Sequence, residues 1–384
     1  LLPYLVRRLL ENGANSSFIN RLLDPETDAA WLAENPALRI KKETKDIPLP
    51  KEIFEKRKNS SGFDISENYN LQELEKDLNT FVSKKISAES IYVGRQNEKS
   101  VSQKVLSIST GSEIGSVVFD DPMFIKNILE KDDDKTWSKK SVEERSKILS
   151  NIADDIEKKP YEFIYFLINE AGKTLQNAID EIREAIDFLR YYSEQIKTID
   201  SKAFLEGPTG EKNNISYSPK GRFLCISPWN FPVAILTGQI SAALACGNNV
   251  IVKPSENTSI LGYLVIKKFH ENGVPLSALQ LILGDGMYGD VLTKIPNIHG
   301  VAFTGSLPTA KKIQKNLIDS QNEITPLIAE TGGINVMIVD SSALLEQVTD
   351  DVIRSAFDSS GQRCSALRVL CIQEEIYDDL IEMI

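Results

Sequence analysis

The stretch Phe223-Leu224-Cys225-Ile226-Ser227-Pro228-Trp229-Asn230-Phe231-Pro232 decides the fold. Four apolar residues run into a polar turn, and a helical pattern over about 232–245 follows. The same unit then recurs. Val250-Ile251-Val252 leads to a helix over about 258–271, and Leu279-Gln280-Leu281-Ile282-Leu283 to one near 287–294. Gly300-Val301-Ala302-Phe303 leads to one over about 308–319. Short apolar strands alternating with helices predict an α/β fold with a parallel sheet covered on both faces. Ligands of such sheets sit outside the carboxyl ends of the strands, so the turns after these strands are where chemistry is expected.

Upstream, residues 141–159 predict a helix. Ser141 and Glu144 form an S-x-x-E capping box, Ile148, Leu149, Ile152 and Ile156 make the inward stripe, and Pro160 stops it. Further helices are expected over about 161–171 and from Gly172-Lys173-Thr174 to Tyr191-Tyr192. The latter tripeptide lacks the G-x-x-x-x-G-K-[ST] context of a phosphate-binding loop and is read as scaffold. Residues 23–135 say least, with extended Asp24-Pro25-Glu26 and Ile47-Pro48-Leu49-Pro50 and charged surface runs. At the start, Leu2, Leu5, Val6, Leu9 and Leu10 recur at helical spacing, with Gly13 where a C-cap belongs. Arg7, Arg8 and Glu11 fall on its polar face, which composition alone reads as solvated.

Two strand-end turns suit a dinucleotide. Lys253-Pro254-Ser255-Glu256 follows the second strand. An acidic side chain there can accept from ribose hydroxyls and would repel a 2′-phosphate, so Glu256 favours NAD over NADP. Gly284-Asp285-Gly286-Met287-Tyr288-Gly289 satisfies G-x-G-x-x-G between a strand and a helix, but the acid expected about 20 positions later is missing.

Three segments carry the reactive groups: Ser227 to Pro232, Ala329-Glu330-Thr331-Gly332-Gly333, and Ser360-Gly361-Gln362-Arg363-Cys364-Ser365. Asn230, Glu330 and Cys364 supply a side-chain amide, a carboxylate and a thiol. These are an oxyanion donor, a general base and a nucleophile. Cys225, Cys246 and Cys371 lie in apolar runs and read as inert. With no C-x-x-C spacing, the four cysteines read as free thiols, and with only His270 and His299 a His-rich zinc site is not expected.

These segments and their spacings resemble the NAD(P)-dependent aldehyde dehydrogenase superfamily. Ile328 to Gly333 and Gly361 to Arg368 resemble more closely the L-glutamate γ-semialdehyde dehydrogenase half of the bifunctional proline utilization A family. The resemblance implies an aldehyde dehydrogenase-like fold: a Rossmann-type NAD-binding domain over 91–325 and the start of an α/β catalytic domain over 326–384. It implies that Cys364 attacks the aldehyde carbon and that Asn230 with the Cys364 N–H holds the oxyanion. Hydride leaves for the nicotinamide, and Glu330 activates the water that hydrolyses the thioester. It implies an NAD site of Ile226, Ser227, Pro228, Trp229, Lys253, Ser255, Glu256, Gly286, Gly289, Thr304, Gly305, Ser306 and Thr331. The glycine-rich turn then lies beside the adenine, and Phe303-Thr304-Gly305-Ser306 meets the pyrophosphate at a helix N-terminus. Arg363 and Ser365 flank the nucleophile as candidate substrate contacts. Ile334 stands where the family pattern implies a polar residue.

The resemblance also implies that residues 1–22 are the last helix of a proline dehydrogenase barrel. There Arg7, Arg8 and Glu11 would belong to a proline site, with 23–90 as a linker. The rest of that barrel, its FAD, the remainder of the catalytic domain and an oligomerisation arm would belong to a longer chain, expected to be a homo-oligomer. Two other readings stay open: an aldehyde dehydrogenase of different specificity, and a noncatalytic NAD-binding module.

Composition sets outer limits. The 384 residues are 41% hydrophobic and 26% charged, as in soluble globular proteins. A net charge of −11 argues against nucleic acid as a partner. No apolar run is long enough to predict a transmembrane segment. The expected location is the cytoplasm, with peripheral membrane association open for a longer chain.

Overall fold

The computed structural model describes residues 2–13, 18–28, 30, 33, 35, 48–96, 100–130, 134–200, 203–321 and 323–384. They fall into two compact units, Leu1–Leu49 and Pro50–Ile384. In the first, helix α1 (Leu2–Gly13) ends at the expected Gly13, and a second short helix, α2 (Phe18–Leu23), lies in the stretch read as its exit. Leu2, Leu5, Val6, Leu9 and Leu10 are all exposed, so the apolar stripe of α1 finds no core among the described residues.

The second unit begins inside the segment expected to be a linker up to residue 90. Ser60 donates from its N–H and its hydroxyl to the Asp187 carboxylate, both at 2.8 Å, and Ser61 N donates to Glu157 at 2.9 Å. Helix α3 (Asn68–Asn79) and strand β1 (Ile86–Glu89) follow. Strands β2 (Val101–Leu106) and β3 (Glu113–Phe119) join β1 in a sheet ordered β1-β3-β2. Then come α4 (Pro122–Leu129), α5 (Val142–Lys158), α6 (Tyr161–Asn169) and α7 (Leu175–Asp200). The expected capping box forms at α5: the Ser141 side chain accepts from Glu144 N, and the Glu144 carboxylate accepts from Ser141 N. Helix α7 runs eight residues past Tyr192, because Ser193 and Ile196 continue its buried stripe.

After a short antiparallel pair, β4 (Ala203–Leu205) and β5 (Asn213–Ile215), the alternation read from the sequence appears. Its elements are β6 (Arg222–Ile226), α8 (Ala234–Ala245), β7 (Asn249–Lys253), α9 (Ser259–Glu271) and β8 (Leu279–Leu281). They continue with α10 (Gly286–Leu292), β9 (Gly300–Gly305), α11 (Leu307–Ser320) and β10 (Leu327–Thr331). All five strands are parallel, in the order β10-β9-β6-β7-β8. The strand order reverses between β6 and β9, and a crevice opens at such a switch point.

Side chains alternate across this sheet as the pleat requires. Cys225, Val250 and Val252 join a core built with α5, α6, α7, α8 and α9. Leu224, Ile226, Ile251, Val301 and Phe303 join a second core with α4, α10 and α11. Both faces are therefore covered, and the short apolar runs are buried strands.

The last elements are β11 (Asn335–Val339), α12 (Leu345–Phe357) and β12 (Leu367–Ile372), followed by α13 (Tyr377–Met383). Strands β11 and β12 pair in parallel through the α12 crossover. Among the described residues no helix is long and apolar enough to cross a membrane.

Candidate active site

Two loops meet at the carboxyl edge of the five-stranded sheet. One leaves β6 and carries Asn230. The other lies between α12 and β12 and carries Cys364. The Asn230 side-chain Nδ2 donates to the Gln362 carbonyl at 2.7 Å, joining positions 132 apart in sequence. An amide nitrogen has two N–H donors, so one stays available for a developing oxyanion.

The Cys364 loop is tied down one carbonyl at a time. Arg368 Nη2 donates to the Gly361 carbonyl at 2.6 Å and reaches the Arg363 carbonyl at 3.4 Å. Asn335 Nδ2, at the start of β11, donates to the Cys364 carbonyl at 2.7 Å and to the Ala366 carbonyl at 2.9 Å. With Asn230 on Gln362, every carbonyl from 361 to 364 accepts from a side chain. The turn before it is left-handed: Ser359, Ser360 and Gly361 have φ of 54°, 55° and 65°. Gly361 suits this turn twice over, since a Cβ there would also lie 2.8 Å from the Ala356 carbonyl. Cys364 and Ser365 are exposed. Cys225 is fully buried, and burial pushes its thiol up to about 12, which suits an inert core thiol.

Arg363 does not point to solvent. Its guanidinium donates to Asn177 Oδ1 at 2.8 Å and pairs with the Asp358 carboxylate at 2.9 Å. Its side chain is thus committed to α7 and to its own loop. Glu330, exposed near the end of β10, pairs in register with Thr304 of β9, and Thr331 pairs with Gly305. The Glu330 carboxylate has no hydrogen-bond or ion-pair partner among the described residues.

Beside these groups lies a cleft of about 350 Å³ at the carboxyl ends of β6, β7 and β9. Of the thirteen residues expected to hold the dinucleotide, all but Thr331 line it. The turn after β7 places Lys253 against Glu256 at 3.5 Å. Burial pushes the Lys253 ammonium below its usual range, against the pull of Glu256 and Asp285. At the β8–α10 turn, Asp285 caps α10 by accepting from Met287 N at 2.9 Å. Gly284 is required there, because a Cβ would lie 2.2 Å from the Tyr288 ring. Ser306 caps α11 by accepting from Thr309 N at 3.4 Å. Since Pro308 has no N–H, the positive end of the helix rather than a row of free donors is what suits an anion there.

The cleft fits a polar ligand on a further count. Ser227 Oγ, in its lining, and Gln239 Oε1 are buried without a hydrogen-bond partner among the described residues. Gln239 meanwhile donates to Thr304 Oγ1 at 3.1 Å. Sequence reading missed Gln239, and it also missed Asp290, which bonds Lys294 and holds Lys312 and Asn316 on the cleft wall. Nothing in their spacing marks them. A larger cavity of about 550 Å³ lies at the amino ends of β6, β7 and β9 and is remote from these groups.

In the first unit, Arg7 lines a shallow apolar surface of α1, and Arg8 Nε donates back to the Tyr4 hydroxyl at 3.1 Å. The Glu11 side chain lies outside the described residues.

Comparison with known proteins matches residues 95–384 to the aldehyde dehydrogenase family. The chain belongs to the aldehyde dehydrogenase family. Across its whole length it is 41% identical to the bifunctional protein PutA of Escherichia coli, and it spans only 30% of that relative's length. Over 65% of the chain it is 36% identical to the 1-pyrroline-5-carboxylate dehydrogenase of Geobacillus thermodenitrificans, covering 49% of that protein. Its fold is similar to a crystal structure of 1-pyrroline-5-carboxylate dehydrogenase from Thermus with bound NAD, at a TM-score of 0.80 and 29% identity. That match covers 86% of this chain and 66% of the Thermus chain. A solved proline utilization A structure matches at a TM-score of 0.77 and 40% identity, covering all of this chain and 36% of that one. The chain is thus an aldehyde dehydrogenase-family α/β protein related to PutA and to pyrroline-carboxylate dehydrogenases.

Proposed function

We propose that this chain carries the dinucleotide site and nucleophile of an NAD-dependent L-glutamate γ-semialdehyde dehydrogenase. In a longer protein it would work with a proline dehydrogenase that supplies the substrate. The observation that carries the reading is the Asn230–Gln362 hydrogen bond, which sets an amide donor beside the Cys364 loop at the edge of the cleft. The names of the relatives supply the substrate class.

In this reading the Cys364 thiolate attacks the aldehyde carbon. The carbonyl oxygen becomes an oxyanion, held by the second Asn230 N–H and the Cys364 N–H. One such donor is typically worth about 3–4 kcal/mol. NAD, when bound, supplies the hydride acceptor. Glu330, with no competing partner, takes a proton from the water that attacks the thioester, and Cys364 departs as a thiolate. Lys253 and Glu256 suit the adenosine ribose, and Thr304 to Ser306 with the α11 N-terminus suit the pyrophosphate. Thr331 remains a proposed cofactor contact at the end of β10. Ser365 keeps the proposed role of a substrate contact, whereas the bonds of Arg363 favour a positioning role. Arg7, Arg8 and Glu11 would serve a proline site only in the longer protein, where FAD would also be bound.

The test is NADH formation from glutamate semialdehyde by the full-length protein. Cys364→Ala should lower turnover by about a thousandfold or more while NAD binding is kept. Turnover that survives this change refutes the role of Cys364. Oxidation of small aldehydes but not the semialdehyde moves the protein to another specificity within the family.

A further inference from the structure

Helix α7 touches both reactive loops with side chains one turn apart. Asn177 uses its whole amide. Its Nδ2 donates to Thr174 Oγ1 at 2.8 Å and to Asp358 Oδ1 at 3.0 Å, and its Oδ1 accepts from Arg363 at 2.8 Å. Asp358 closes the ring through Arg363 at 2.9 Å and also accepts from Ser359 N at 2.9 Å. The ring therefore grips the left-handed Ser359–Gly361 turn at both ends. Four residues on, fully buried Glu181 accepts from Val233 N at 2.7 Å and Ala234 N at 3.2 Å, just beyond Asn230. Its other oxygen lies 2.9 Å from Lys173. Lys173 and Arg363 both face the Phe231 ring, at 4.0 and 5.6 Å from its centre.

We propose that α7 acts as the gauge between nucleophile and oxyanion donor, and that Asn177 is a positioning residue for Cys364. Residues four apart share a helix face and keep a fixed separation. Glu181 fixes where the Asn230 loop ends, at the start of α8, and Asn177 fixes the Cys364 loop where it leaves α12 and again just before Cys364. Left-handed serines are costly and persist only where neighbours over-determine them. Without Asn177, Asp358 and Arg363 lose their common partner, and the turn can relax and swing Cys364 away from Asn230. Arg363 then acts by holding the loop and not by reading a substrate carboxylate.

The inference rests on Cys364 being the reactive thiol, and the chain carries its own controls. Cys246 and Cys371 are exposed and Cys225 is buried. The experiment follows iodoacetamide alkylation of all four cysteines by peptide mapping, without aldehyde or dinucleotide. Asn177→Ala should change the Cys364 rate by roughly tenfold, the size of a small misplacement. Cys246 and Cys371 should keep their rates and Cys225 should stay protected. Asn177→Asp, which keeps the acceptor for Arg363, should recover part of the change. An unchanged Cys364 rate with Cys225 protected overturns the proposal. If Asn177→Ala exposes Cys225, the half-exposed Asp358→Ala breaks the same ring and is judged by the same criterion. Failure of the dehydrogenase reading would show separately, as absent aldehyde oxidation in a chain whose Cys364 still answers to Asn177.

Discussion

Glu170 shows how far a single buried group can depart from its ordinary chemistry. It follows α6 and accepts from Ile260 N and Leu261 N, both at 2.9 Å, at the start of α9. Burial pushes its carboxyl up to about 8 despite those two donors. The folded state thus holds a proton that the unfolded chain releases at a lower pH. The stability linked to this group is complete below about 4.5 and is lost as pH rises through about 8. Glu170→Gln should flatten that decline, read as melting temperature against pH. An equally steep fall in the variant would show that Glu170 is not the titrating group. Neither Glu170 nor Arg363 was legible in its role. Arg363 could be read as a basic residue beside a nucleophile, but its direction depends on Asn177, which lies 186 positions earlier in the chain.

At the scale of elements, sequence reading and structure agree where local rules decide. Ser141 and Glu144 form a reciprocal cap, and α5 starts where their spacing says. Ser141→Ala should cost about 1 kcal/mol, read as a lower urea midpoint with an unchanged slope. No loss would mean that tertiary packing alone fixes the start of α5. The strands β6, β7 and β9 were equally legible, because an apolar run between turn residues has few other uses in a chain of this composition. Elements without a local signal were not. Residues 50–90 looked like a linker, yet β1 joins a sheet through β3 and Ser60 is anchored on Asp187. Those partners lie 29 and 127 positions away.

Over the whole molecule, the surface is uneven. The parallel pair β11–β12 leaves Ile338 at 81% and Val336 at 54% exposure, and neighbouring Ile334 at 77%. An open sheet edge with apolar side chains invites pairing with another copy. Ile338→Lys should weaken concentration-dependent self-association of this chain by roughly tenfold, about the worth of one buried aliphatic side chain. Sedimentation reads this directly, and unchanged association would place the sticky surface elsewhere. Ile334, without explanation in the sequence, belongs to this exposed apolar face.

The sequence by itself determined the α/β class, the order of strands and helices from 222 onward, and the three segments bearing Asn230, Glu330 and Cys364. It could do so because burial, capping and turn chemistry act over a few residues and leave a periodic trace. Only the tertiary structure decided that Asn230 bonds the Cys364 loop, that Arg363 turns to Asn177 and Asp358, and that twelve expected cofactor residues line one cleft. Hydrogen bonds between distant segments depend on which helix face meets which loop, and no local pattern along the chain encodes that meeting.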